Sequence, residues 1–69
     1  MRKYWFFVIS PNGERHQFPS WDKAVEEAEK RGGVAEEEMI EVTSGNREYR
    51  YRDLDGKVSK VQAERRVQA

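Results

Sequence analysis

Six consecutive residues, Tyr4-Trp5-Phe6-Phe7-Val8-Ile9, are aromatic or β-branched and carry no charge. Such a run suits a strand. Successive strand side chains point to opposite faces, so this strand is apolar on both. A sheet that contains it needs cover on two sides. The remainder of the chain offers one convincing helix, and one helix covers one face. The fold is therefore expected to leave an apolar sheet face without a helix.

That helix is marked at both ends. Ser20 is a suitable N-cap, and Asp22 falls in the first turn, where the helix dipole favours an acid. Trp21, Ala24, Val25 and Ala28 recur at helical spacing as one apolar stripe. Lys23/Glu27, Glu26/Lys30 and Glu27/Arg31 stand four apart on the polar side. Gly32 is placed to end the helix in the left-handed conformation. The two alanines of the stripe allow close approach to a sheet.

Turn signals divide the rest. Ser10-Pro11-Asn12-Gly13 separates the first strand from a second at residues 14–18. Two registers are open. A three-residue loop Pro11-Asn12-Gly13 pairs Phe18 with Phe6 and turns Tyr4, Phe6 and Val8 to the helix. A two-residue turn Asn12-Gly13 pairs Phe18 with Phe7 and turns Trp5, Phe7 and Ile9 inward. Pro11 suits the first, since proline favours the position after Ser10. Residues 39–43 read as a third strand and 47–53 as a fourth, joined by a two-residue turn at Gly45-Asn46. That hairpin sets Val42 opposite Tyr49, Ile40 opposite Tyr51 and Glu41 opposite Arg50. Trp21, Ala28, Val42 and Tyr49 are then expected between helix and sheet. Asp55-Gly56 is another turn, and residues 57–62 are available as a fifth strand. The expected fold is α+β: an antiparallel sheet of four or five strands with one helix on one face, in ββαββ order. Residues 1–62 form this single domain and 63–69 a tail.

With 69 residues, a core of this size yields only ~3–5 kcal/mol of net stability. Little room is left for a substrate pocket, and a dimer or a bound partner would add stability. The chain has no cysteine, so disulfides and thiolate metal sites are excluded; this fits a cytoplasmic protein. No apolar run is long enough to span a membrane, and the run at Tyr4–Ile9 is too short for a signal-peptide core. Net charge is zero but uneven: +2 over residues 1–21, −5 over 22–41 and +3 over 42–69. Zero net charge removes the general electrostatic argument for nucleic acid.

No catalytic set is visible, and a non-enzymatic domain is expected. His16 is the only histidine and lacks a second ligand or an orienting acid at a defined spacing, Glu14 apart. Asp53-Leu54-Asp55-Gly56 resembles the start of a calcium loop, but the later acidic ligand is missing. No phosphate loop or metal-ligand spacing occurs, and no cofactor or small-molecule substrate is implied. Glu36-Glu37-Glu38 reads as a solvated loop. Arg47, Arg50 and Arg52 interleave with Tyr49 and Tyr51 in the manner of a nucleic-acid strand, but alternation turns the tyrosines away from Arg50 and Arg52.

The helix-free face is the candidate binding surface. Trp5, Phe7 and Ile9 are expected to form its apolar row, with Arg15, Arg50 and Arg52 as a charged rim. Alternatively, the C-terminal segment with Val58, Val61 and Val67 folds over that face. The expected partner is a protein or a second copy of the chain. A nucleic acid held by Arg15, Arg47, Arg50 and Arg52 is the alternative.

The order of an aromatic first strand, the segment Phe18-Pro19-Ser20-Trp21-Asp22-Lys23-Ala24-Val25-Glu26-Glu27-Ala28-Glu29, and then Met39-Ile40-Glu41-Val42 resembles small phage-encoded ββαβ inhibitors. These include the RNA-polymerase-inhibiting proteins of T7-like phages and type I anti-CRISPR proteins. The resemblance covers residues 4–52 and transfers no site residue. It implies a protein that binds a host machine and blocks it.

Overall fold

The computed structural model describes residues 1–63. It contains β1 (Arg2–Ile9), β2 (Arg15–Phe18), α1 (Trp21–Arg31), β3 (Val34–Glu41), β4 (Arg47–Arg52) and β5 (Val58–Ala63). The five strands form one antiparallel sheet in the order β2-β1-β3-β4-β5. The helix lies across β2, β1 and β3 on one face. The α+β architecture expected from the sequence is thus present, and the fifth strand runs over Val58–Ala63 where 57–62 was expected. The remainder of the expected tail, residues 64–69, lies outside the described residues, and so does the expected cover by Val67.

The β1–β2 hairpin settles the first register. Ser10 N–H donates to the Glu14 carbonyl at 2.8 Å and Gly13 N–H to the Ser10 carbonyl at 2.8 Å. Gly13 takes a φ of 87°, which a side chain would disfavour. The loop is therefore Pro11-Asn12-Gly13, and Phe6 pairs with Phe18. Phe6 and Val8 face the helix, while Trp5, Phe7 and Ile9 face away.

The helix begins and ends as its sequence indicates. Ser20 Oγ accepts the Lys23 N–H at 3.1 Å, and Gly32 adopts the left-handed conformation at φ 66°. Gly33 then lets the chain cross β1 at close range. A Cβ there would lie 2.6 Å from the Ile9 carbonyl oxygen. The core consists of Val8, Ala24, Ala28 and Ala35, with Phe6, Phe18, Trp21 and Val25 packed around it. Small residues at the contact bring the helix down onto the sheet, and the rings close its margins.

The third strand departs from expectation. It starts at Val34 rather than Met39, and it pairs with β1 over its whole length, from Ile9 with Val34 to Arg2 with Glu41. Glu36, Glu37 and Glu38 are therefore not a solvated loop. They occupy the middle of the central strand, and Glu36 is only 5% exposed. A buried carboxylate needs a partner, and each of these three has an arginine within reach: Arg15 for Glu36, Arg50 for Glu37, and Arg15 with Arg47 for Glu38.

The β3–β4 hairpin is corrected as a consequence. Glu41 N–H donates to the Asn46 carbonyl at 2.9 Å and Gly45 N–H to the Glu41 carbonyl at 2.7 Å, which closes a longer loop over residues 42–45. Tyr49 comes opposite Glu38, Tyr51 opposite Glu36, and Arg50 opposite Glu37. The slip is even, so Ile40, Tyr49 and Tyr51 still share a face. That face is the one without the helix, because Ala35 pairs with Val8 on the helix side. Of the expected core, Ala28 is buried and Trp21 packs against it. Val42 is 49% exposed in the loop, and Tyr49 lies on the opposite face.

Candidate functional site

The sheet alternation assembles the helix-free face from all five strands. β1 contributes Trp5, Phe7 and Ile9; β2 contributes Arg15 and Gln17. From β3 come Val34, Glu36, Glu38 and Ile40, from β4 Arg47, Tyr49 and Tyr51, and from β5 Val61. Two apolar rows run side by side, Trp5-Phe7-Ile9 on β1 and the stacked rings of Tyr49 and Tyr51 on β4, whose centroids are 6.2 Å apart. The carboxylates of β3 run between them.

The centre is a packed polar junction. Arg15 lies over the Phe7 ring at 3.6 Å from its centroid. Its Nε donates to Glu36 Oε1 at 2.8 Å, its Nη2 stands 2.6 Å from the same oxygen, and Glu38 is 3.4 Å away. The guanidinium therefore meets a ring face and two carboxylates together, a combination its planar, weakly hydrated shape allows. Burial pushes the Tyr51 phenol up to about 12, and the neighbouring Glu36 carboxylate adds to the shift. Tyr51 is thus a neutral hydroxyl at ordinary pH. Beyond this junction Trp5, Phe7 and Ile40 form the floor of an open groove, with Gln17, Glu38 and Arg47 along its sides.

The expected site residues divide into two sets. Trp5, Phe7, Ile9 and Arg15 stand together on the helix-free face, as read from the sequence. Arg50 and Arg52 do not join them, because the pairing of β3 with β1 sets Ala35 and Glu37 on the helix side and the β4 residues opposite them, Arg52 and Arg50, lie there too. Arg50 lies over the Trp21 ring at 4.0 Å and bonds Glu37 at 3.0 Å. Arg52 reaches Glu29 of α1 at 3.0 Å. These two arginines tie β4 to the helix, which packs mainly on β3, β1 and β2. Their place in the rim is taken by Arg47, Glu38 and the tyrosines, which sequence reasoning had assigned elsewhere. The available signal was strand length. A strand that starts right after Gly33 matches β1 residue for residue, and it aligns three glutamates with the surplus arginines.

His16 sits on edge strand β2, with Nε2 3.2 Å from Glu14 Oε2 and both side chains well exposed. Asp53 Oδ1 accepts from the N–H groups of Asp55 and Lys57, so that carboxylate closes the β4–β5 turn. Among the described residues no group of His, Asp and Glu converges in a metal-binding arrangement. No helix among them is long and apolar enough to cross a membrane. No family model, curated protein or solved structure matches the chain.

Proposed function

We propose that the chain is a non-enzymatic interaction domain that binds a protein through its helix-free sheet face. The observation that supports this reading is the grouping of Trp5, Phe7, Ile9, Ile40, Tyr49 and Tyr51 on that face, half-buried and uncovered among the described residues. Aromatic side chains offer large contact area at low entropic cost, and they and arginine dominate binding hot spots. The ion pairs between the two rows are near charge balance, which suits a mixed protein surface. The resemblance of the sequence to phage-encoded inhibitors extends the proposal: the partner is a component of a host machine, and binding blocks it.

Nucleic acid is the weaker reading. Arg15 and Arg47 lie on one face and Arg50 and Arg52 on the other, and each of the four stands within 4.0 Å of a carboxylate. Phosphate binding would have to displace those partners.

The test is affinity capture with defined variants. The wild-type chain is expected to retain a protein from the source cell, and Trp5→Ala and Phe7→Ala to lose it while folding normally. A variant with Glu26→Gln and Glu29→Gln on the helix is expected to keep it. Retention of a partner by both strand variants, or its loss with the helix variant alone, overturns the assignment. Salt-sensitive retention of the wild type on a DNA column would favour the nucleic-acid reading instead.

A further inference from the structure

The two outer edges of the sheet differ in kind. β2 is a guarded edge. It has four residues, three of them the polar Arg15, His16 and Gln17, and Pro11 and Pro19 stand close to its two ends. Short length, charge and proline are the ordinary means of blocking strand addition. β5 carries few of these guards. It runs for six residues with one charge, Lys60, and no proline. Its pairing with β4 is continuous from Val58 to Ala63, so no bulge twists the edge away. Among the described residues nothing pairs with its outer side, and Val58 and Val61 are 50% and 51% exposed.

From this we infer that β5 is a dimerisation edge, and that its occupant is β5 of a second copy, added antiparallel about a two-fold axis through Val61. The strand sequence favours that register. Centred on Val61, the pairing sets Val61 against its own mate, Lys60 against Gln62 and Ser59 against Ala63 of the second copy. Centred on Lys60, it would set ammonium against ammonium, which destabilises a cross-strand pair. The Val61 register also continues a row already present. Tyr49 pairs with Val61 within one chain, so the dimer would carry Tyr49-Val61-Val61-Tyr49 across its centre. A two-fold contact of this kind closes on itself and does not propagate into a filament. Both helices lie on the same side of the resulting ten-stranded sheet, and the two helix-free faces merge into one. The inference concerns the edge and stands apart from the proposed partner surface.

Sedimentation of the full chain over a range of concentrations tests it. The mass is expected to rise from one chain to two. Val61→Lys is expected to weaken the dimer about tenfold or more, while Val61→Thr keeps it. The chain has no cysteine of its own, which permits a second measurement independent of affinity. Val61→Cys is expected to form a symmetric disulfide-linked dimer on mild oxidation, and Gln17→Cys on the guarded edge is not. A chain that stays monomeric at millimolar concentration overturns the inference. So does a dimer that Val61→Lys leaves intact and Trp5→Glu dissolves, which would place self-association on the sheet face.

Discussion

On the helix side of the sheet, space is filled by small residues: Ala24 and Ala28 from the helix meet Val8 and Ala35 from the strands, all at most 2% exposed. On the other side it is filled by rings and ion pairs: Phe7 under Arg15, with Glu36 beside Phe7 and Tyr51 beyond it. The same strands supply both arrangements from alternate positions. The first is shaped by a close neighbour, so its tolerance for added volume is low. The second has no neighbour above it among the described residues, and there charges share the surface with apolar groups and satisfy one another. A face arranged in the second way is compatible with water and still leaves its rings part-exposed.

Four measurements test that contrast. The largest effect is expected from bulk. Ala28→Leu should overpack the helix contact and cost about 1–3 kcal/mol in urea denaturation, whereas Ser59→Leu on the open face should stay within about 0.5 kcal/mol. Equal costs would mean that the helix does not dock as described. Next comes the polar junction. Glu36→Ala removes the principal acceptor of Arg15, whose side chain is 45% exposed and regains water. The cost should be near ~1 kcal/mol, well short of the loss expected for an enclosed pair. A larger loss would show that the open face is covered in solution.

The third measurement is spectroscopic. The folded-state pKa of Tyr51 is raised to about 12, above the ordinary ~10 of a tyrosine. The neutral form is favoured by folding, so its stabilising contribution is complete below pH ~10 and is lost as pH rises from there through 12. Ultraviolet titration should show a late phenolate from Tyr51 that is lost in Tyr51→Phe. The smallest effect belongs to the helix surface. The hydrogen bond from Lys30, with the charge of Lys23, holds the Glu26 carboxyl below the usual carboxylate range. Its contribution is present at neutral pH and fades as pH falls through that lowered value. The carboxyl chemical shift of Glu26 should report this titration.

The helix and the first hairpin were legible in the sequence because their signals are local. Ser20, Gly32 and the Trp21-Ala24-Val25-Ala28 stripe each fix a backbone feature within a turn or two, and Pro11 selects the loop that turns Trp5, Phe7 and Ile9 outward. The third strand was not legible, because what stabilises it is remote. Glu36 is acceptable in a strand only once Arg15, 21 residues away, lies beside it, and no local propensity carries that information. Without those residues the β1–β3 pairing was not legible, and that pairing decides which face of β3 and β4 meets the helix, and so where Arg50 and Arg52 lie. Hence the face on which Trp5, Phe7, Ile9 and Arg15 lie was legible in the sequence, and the face of Arg50 and Arg52 was not.

The carboxylates of β3 also bear on what the chain avoids. Tyr4 to Ile9 is an uncharged, β-rich, proline-free window of the kind that stacks into fibrils. Its long neighbour in the sheet is a strand that cannot stack on its own kind: in-register copies of β3 would place three glutamates over three glutamates. A growing fibril of this sequence would therefore have to exclude the segment that β1 pairs with along its full length in the native sheet. The acidic centre of the sheet acts as a gatekeeper for the aromatic strand beside it.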